Sequence, residues 1–319
     1  MKVAIIIPAF NEELSIAGTI VQYRSVFPNA CIVVIDNNST DGTSVEAALV
    51  LDQTRDVLIS EKRQGKGQAV KTGLSRVDAD IYIMTDADLT YNAGDALHLL
   101  ELMIKNRVDM IVGDRVSNGA YAEQNIRRGH AWGNLVLSWI ISKLAGQEYH
   151  DVMSGLRIIS RPFISAFDVR SDGFQLETEL NVISAYLRAS VIEVPICYSR
   201  RSHGSHSKLN TLKDGYRILN FAVTNWVAFS PLQPFMLISA VTFFVTIILG
   251  YRVVSGFLTT GWPYTTTATA AVACAIISIL SLFQGISLKI LGRNDRRREV
   301  AAFLEAKRHW NASLDKSIL

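Results

Sequence analysis

Ile81-Tyr82-Ile83-Met84-Thr85-Asp86-Ala87-Asp88-Leu89 decides the fold. The apolar run Ile81 to Thr85 is short and ends in a polar turn, so it reads as a buried parallel strand. In an open α/β sheet, ligands gather outside the carboxyl ends of the strands, which places Asp86 and Asp88 against a bound small molecule. Two carboxylates two residues apart suit a hard divalent cation, Mg2+ or Mn2+. Such an ion prefers carboxylate oxygen and completes its shell with water and phosphate oxygens, so a diphosphate is the matching ligand. An isolated Asp-x-Asp is also a common surface turn, and its weight comes from its surroundings.

Working outward, the chain to about residue 115 alternates short apolar runs with amphipathic stretches, the signature of βαβ units and a mainly parallel sheet. Strands are expected at Val3 to Ile7, Cys31 to Ile35, Val57 to Ser60, Ile81 to Thr85 and Met110 to Val112. Asn92 is placed to cap a helix starting near Ala93, and Ser39 or Thr40 to cap the one after the second strand. Further on come a helix from about Arg127 to Leu144, a strand Gly155 to Ser160, a helix Leu176 to Arg188 and a strand Val191 to Tyr198. Polar residues collect at strand ends: Pro8, Asn11 and Glu12 after the first, Asp36 at the second, Asp86 and Asp88 at the fourth, Asp114 and Arg115 at the fifth. Parallel strands would bring them to one rim. Asp36 alone could cap a helix; with the rest of the rim it suits a nucleobase or ribose. No Gly-x-Gly-x-x-Gly follows the first strand and no Walker-type loop is present, which argues against dinucleotide and P-loop enzymes.

Hydrophobic residues make up 49% of the 319. The excess is local. No charged side chain occurs from Ile218 to Tyr251, nor from Val253 to Leu288. Each run can supply the roughly 20 residues that cross a bilayer. Phe235 to Tyr251 and Ala268 to Leu288 are therefore expected as a transmembrane hairpin, residues 231–291, turning at Gly261-Trp262-Pro263-Tyr264. A buried hairpin in a soluble core is the alternative, disfavoured by the length of the runs. Residues 212–230 mix Lys213 and Arg217 with Tyr216, Leu219, Phe221 and Trp226, as an interfacial amphipathic helix does. Lys289, Arg293, Arg296, Arg297 and Arg298 follow the second run, whereas Arg252 is the one charge expected in the intervening loop. The positive-inside rule then predicts both termini, the domain 1–211 and a basic tail 292–319 in the cytosol. Met1-Lys2 leads straight into a strand, with no signal-peptide pattern. A net charge of +3 points to no nucleic acid. Cys31, Cys197 and Cys274 lack metal spacing and read as reduced thiols.

Ile7 to Glu13 (IPAFNEE), Val34 to Thr43 (VIDNNSTDGT), Gly65 to Gly67 (GKG) and Asp86 to Leu89 (DADL) together resemble family 2 inverting glycosyltransferases. Asp151 to Arg157 (DVMSGLR) and Gly204 to Leu209 (GSHSKL) are similar to the branch containing dolichyl-phosphate mannose synthase and bacterial polyprenyl-phosphate glycosyltransferases. The resemblance covers nearly the whole chain. It implies a Rossmann-like A-type glycosyltransferase fold, a nucleotide-sugar donor, a polyprenyl phosphate acceptor and a bilayer, and it allows a homo-oligomer. Pro8, Phe10, Glu12 and Asp36 would line the nucleoside pocket. Asp86, Ala87 and Asp88 would meet the donor diphosphate, with Asp88 the main metal ligand, Asp86 a direct or water-bridged one, and Lys66 nearby. Relatives often have Gln where this chain has Thr90, so a third protein ligand is not implied. Arg115, Arg128, Arg201 and Lys208 match positions that bind the lipid phosphate or close over the diphosphate, with Arg127 and Arg200 as rivals. Guanidinium groups suit phosphate because they are always charged and present a planar fork.

A phosphate monoester acceptor is already anionic near neutral pH, so no general base is required. Catalysis would hold the lipid phosphate in line with the anomeric carbon while the cation and basic side chains stabilise the leaving nucleoside diphosphate. Other branches of the superfamily keep acceptor-side acids on the helix that holds Glu177 and Glu179, which makes them candidate bases, but helix surface or a structural pair with an arginine is the preferred reading. His203 and His206 have no nearby acid or cysteine to complete a metal site and, with Ser207-Lys208, suit a phosphate-contacting flap. Two other functions remain: a polysaccharide-building transferase, although the Gln-x-x-Arg-Trp motif of processive synthases is missing, and a non-catalytic nucleotide-sugar-binding membrane scaffold.

Overall fold

The computed structural model describes residues 1–117, 138–139, 141–143, 146, 148–166, 171–173, 175–199, 220–221, 224, 230–262 and 264–318. It divides into two compact units, Met1–Ala222 with Glu299–Leu319, and Val223–Arg298.

The first unit is built on seven strands: β1 (Val3–Ala9), β2 (Cys31–Asp36), β3 (Val57–Ser60), β4 (Ile81–Met84), β5 (Met110–Asp114), β6 (Arg157–Ser160) and β7 (Val191–Pro195). Their order in the sheet is β3-β2-β1-β4-β6-β5-β7. β1 pairs in parallel with β2 and β4, β2 with β3, and β5 with β7. β6 runs antiparallel to both β4 and β5. Because β6 reverses direction between them, β4 and β5 still point the same way, and the ends of β1, β2, β4 and β5 share one rim.

The central strands are apolar on both faces because helices cover both. Ile5, Ile7, Ile32, Val34, Ile81 and Ile83 pack on one side, under α1 (Ile16–Val26) and α4 (Ala93–Asn106). Ile6, Val33, Ile35, Tyr82 and Met84 face the other, under α3 (Lys66–Arg76) and α6 (Leu176–Leu187). Two short helices add one to each face: α2 (Thr43–Val50) buries Ala47 on the side of α1, and α5 (Arg161–Ser165) buries Phe163 on the side of α3 and α6. Asn92 caps α4 as expected, its Oδ1 accepting from Gly94 N–H at 2.7 Å. Neither Ser39 nor Thr40 caps α2. The residue before the helix is Gly42, whose N–H donates to Glu13 Oε2, and Asp41 accepts from Thr43 N–H. Ser39 Oγ is instead taken by Asn11 N–H at 3.0 Å.

Helix α7 (Leu232–Thr260) and helix α8 (Thr265–Ile318) are both long and apolar enough to cross a membrane. In the second unit Phe244, Ile279 and Phe283 are more than 60% exposed, whereas aliphatic side chains of comparable size in the sheet are buried. Ser239 and Ser278 hydroxyls meet at 3.1 Å, and a Cβ on Gly285 would come within 2.8 Å of Phe235 Cβ, so small residues set this close helix contact. Arg252 lies on α7, not in a loop as expected, because the helix continues to Thr260. The expected tail 292–319 also differs, being helical to Ile318. From Glu299 it belongs to the first unit. Phe303, Trp310 and Leu314 are buried in the two core clusters, and Lys307 Nζ meets Asp109 Oδ2 at 2.5 Å ahead of β5. That contact lies at the amino-terminal edge of the sheet, away from the polar rim.

Candidate active site

Three of the five non-glycine residues with positive φ among those described lie on the rim: Asn11 after β1 (52°), Asn38 after β2 (61°) and Leu89 after β4 (61°). Left-handed backbone at a residue with a Cβ is costly, and it gathers where a binding surface imposes the turn. The other two, Arg107 and Arg188, end helices.

On the β1–β2 side, Ala9 pairs with Asp36 in the sheet register. Asp36 Oδ1 accepts from Ser39 N–H (3.1 Å) and Oδ2 from Ser44 Oγ–H (2.6 Å). Its loop-shaping role is therefore real. Glu12 is buried, its N–H donating to Thr43 Oγ1 and its Oε2 accepting from Ser15 Oγ–H. Pro8, on β1, and Phe10, just past it, are half-buried. Asn37 was not singled out from the sequence. It donates to Glu61 O and Arg63 O and accepts from Gly65 N–H at 2.6 Å, tying the β2 end to the loop that delivers Lys66.

On the β4–β5 side, Asp88 is buried and Oδ1 accepts both Thr90 Oγ1–H (2.5 Å) and Thr90 N–H (3.2 Å). Thr90 thus orients the carboxylate. Helix α1 supports the same loop: Thr19 Oγ1–H donates to Ala87 O, and Tyr23 O–H to Thr85 Oγ1. Lys66 opens α3 and places Nζ 2.6 Å from Asp86 Oδ1 and 2.6 Å from Glu177 Oε1. Burial works to lower the Lys66 pKa, but the Asp86 and Glu177 carboxylates outweigh it and hold the ammonium charged. Glu177 and Glu179 correct the sequence expectation. Both are buried, Glu177 against a lysine and Glu179 accepting from Ser171 N–H and Oγ–H.

Arg115 is buried, and its Nε and NH2 donate to the two oxygens of Asp151 at 2.7 and 2.8 Å. Its guanidinium lies 5.4 Å from the Tyr198 ring centre, and Tyr198 packs edge-on against Tyr91. Burial works to raise the Asp151 pKa, yet Arg115 more than compensates and leaves it below the ordinary carboxylate value. Arg157 is wholly buried and donates to Ser154 O, Val152 O and Asn181 Oδ1, which fixes the turn holding Asp151 and Gly155. A Cβ on Gly155 would lie 2.7 Å from Asp86 Oδ2, so a larger residue there would displace the Asp86 carboxylate. Arg127, Arg128, Arg200, Arg201, His203, His206 and Lys208, and most of the expected interfacial helix, lie outside the described residues.

Asp86 and Asp88 offer oxygen donors of the kind Mg2+ and Mn2+ accept. Among the described residues no group of three or more acids, histidines or cysteines gathers in metal-binding geometry. The donor set fits an ion that takes few protein ligands and completes its shell with water and phosphate. The model for glycosyl transferase family 2 matches residues 4–167 of this chain. The chain belongs to glycosyl transferase family 2. Glycosyltransferase AglJ of Haloferax volcanii is 34% identical over 218 residues, 67% of this chain and 68% of the relative. Undecaprenyl-phosphate mannosyltransferase of Micrococcus luteus is 27% identical over 237 residues, 71% of this chain and 94% of that enzyme. Among solved structures, glucosyl-3-phosphoglycerate synthase of Mycobacterium tuberculosis in complex with Mn2+ and UDP-glucose superposes with a TM-score of 0.54 at 18% identity, covering 70% of this chain and 78% of that one. That likeness shows the fold. The family 2 enzyme described here is a glycosyltransferase whose relatives include polyprenyl-phosphate sugar transferases.

Proposed function

We propose that this glycosyltransferase moves one sugar from a UDP- or GDP-linked donor to a polyprenyl phosphate at the cytoplasmic membrane face, with inversion at the anomeric carbon. The observation that carries the reading is the Asp86–Asp88 pair with Lys66 at the end of β4, in a chain that also has two helices apolar enough to cross a membrane. The similarity to undecaprenyl-phosphate mannosyltransferase supports the lipid acceptor. The Mn2+ and UDP-glucose of the structural neighbour support a metal-bound nucleotide donor.

Asp88, oriented by Thr90, and Asp86 would hold Mg2+ or Mn2+, which when bound supplies positive charge to the leaving diphosphate. Pro8, Phe10, Glu12 and Asp36 form the side on which the nucleoside would rest. Arg115 is fixed by Asp151 and Tyr198, so it contributes charge without having to reorganise. Arg128, Arg201 and Lys208 are assigned the lipid phosphate and the closing over the diphosphate. The acceptor brings its own negative charge, which frees Glu177 from acting as a base and agrees with its engagement by Lys66.

The test is to incubate the full-length protein in membranes with a panel of UDP- and GDP-sugars, undecaprenyl or dolichyl phosphate and Mn2+, then weigh the lipid product. One hexose-sized increment on the lipid phosphate, with a β linkage from an α-linked donor, is expected. A polymer, or no product with any donor while nucleotide still binds, would refute the reading.

A further inference from the structure

Lys66 stands at the first position of α3, where the helix dipole disfavours a cation. Its side chain is 11% exposed, and an ammonium so enclosed persists only when paired. The pairing is written into the backbone. A Cβ on Gly65 would fall 2.0 Å from Asp172 O and one on Gly67 1.9 Å from Ser171 O. Only glycine can flank Lys66 while the start of α3 lies directly on the 171–173 backbone, where Gln68 N–H donates to Asp172 O at 3.2 Å. This close approach brings the first turn of α6, and Glu177 with it, to the Lys66 ammonium. Glu177 is 2% exposed, and its second oxygen, Oε2, is buried without a hydrogen-bond partner. A buried carboxylate oxygen left unmatched is costly. Glu177 also faces the buried Arg157 guanidinium electrostatically, but Asp86 alone could neutralise Lys66, so the direct Glu177 contact exceeds what pairing the ammonium needs.

We propose that Glu177 is a positioning residue that retains Lys66 as an exchangeable counter-cation of Asp86. Before the donor arrives, Lys66 neutralises Asp86. When the donor's divalent cation binds, Asp86 gives up Lys66 and Glu177 keeps it. This rests on the reading of Asp86 as a donor-side metal ligand. Its consequence is coupling: the ammonium competes with a bare metal ion, so the ion binds well only together with the nucleotide diphosphate.

The experiment is a Mn2+ titration of the full-length protein in detergent, followed by electron paramagnetic resonance, with Mn2+ alone and with UDP or GDP. Lys66→Met should bind Mn2+ alone about 10-fold more tightly than wild type, while Lys66→Arg, which keeps the charge, should stay within about twofold. Glu177→Gln leaves the ammonium to Asp86 alone and should weaken Mn2+ binding by about 10-fold. The charge-balanced Lys66→Met/Glu177→Gln protein should recover that loss, because the effect of Glu177 runs through Lys66. It also provides a folded form if Lys66→Met is unstable. Unchanged Mn2+ affinity in Lys66→Met, or a double variant as weak as Glu177→Gln, would overturn the inference while leaving the metal reading intact. Absence of Mn2+ binding in every form, even with UDP or GDP, would overturn the metal reading and the inference with it.

Discussion

The two halves of the carboxyl rim are held by different bonds. At the ends of β1 and β2, Glu12, Asp36 and Asn37 are fastened to hydroxyls and backbone groups. At the ends of β4 and β5, Asp88 and Asp114 are held in the same way, but Asp86, Glu177 and Asp151 face the side-chain cations Lys66 and Arg115. A carboxylate bonded to backbone shapes its loop. A carboxylate paired with a side-chain ammonium has a partner that a ligand's charge can replace. On the proposed function, the β1–β2 half would frame the nucleoside and the β4–β5 half would meet the phosphate and the metal.

The largest test of that contrast is Asp151→Ala. It leaves Arg115 buried without its fork partner, and a loss of about 3–5 kcal/mol in chemical denaturation is expected. The pH dependence has a defined sign. The folded-state pKa of Asp151 is lowered, so its stabilising contribution is complete above the unfolded carboxylate value, about 3.9, and fades as pH falls through the lower folded value. Asp151→Asn should be less stable at neutral pH and show a shallower acid limb. Equal acid limbs would mean that the pair is not ionic.

Next comes Asp88→Ala, expected to cut turnover by about 100- to 1000-fold, with only a small loss of stability from unpairing Thr90. A scaffold would keep its function in that variant. Asn37→Ala addresses the frame. It should cost about 1–3 kcal/mol of stability and raise the donor KM while leaving Mn2+ affinity in place, and a change in Mn2+ affinity would break the division between halves. The smallest effect is expected from Thr90→Val, which removes the hydroxyl orienting Asp88 and should lower Mn2+ affinity about 10-fold at near-native stability.

Much of the rim was legible beforehand. Apolar runs ending in Asp36, Asp86 and Asp114 located the strands because buried parallel strands must be apolar on both faces and polar only where they emerge. Asn92 was legible as a cap because its bond is local. Asn37 and Thr90 were missed as supports: their bonds depend on how loops fold back, which has no periodic signal. Glu177 was misread for a related reason. At the start of a helix an acid usually meets solvent, and its burial here depends on Gly65 and Gly67 lying against the 171–173 backbone, more than 100 positions along the chain. The segment after residue 298 looked like a tail because it follows the basic cluster Arg293, Arg296, Arg297 and Arg298, whereas Phe303, Trp310 and Leu314 reach the core.

The sequence by itself determined the α/β class, the acids of the rim and the two apolar helices, since burial pattern and charge-free length are local properties of the chain. Tertiary structure alone decided that β6 enters the sheet in reverse, that Asp151 occupies the fork of Arg115, and that Lys66 is shared by Asp86 and Glu177. Each of those depends on charges or strands distant in sequence becoming neighbours. Their energy comes from the low-dielectric space that packing creates, which no local pattern encodes.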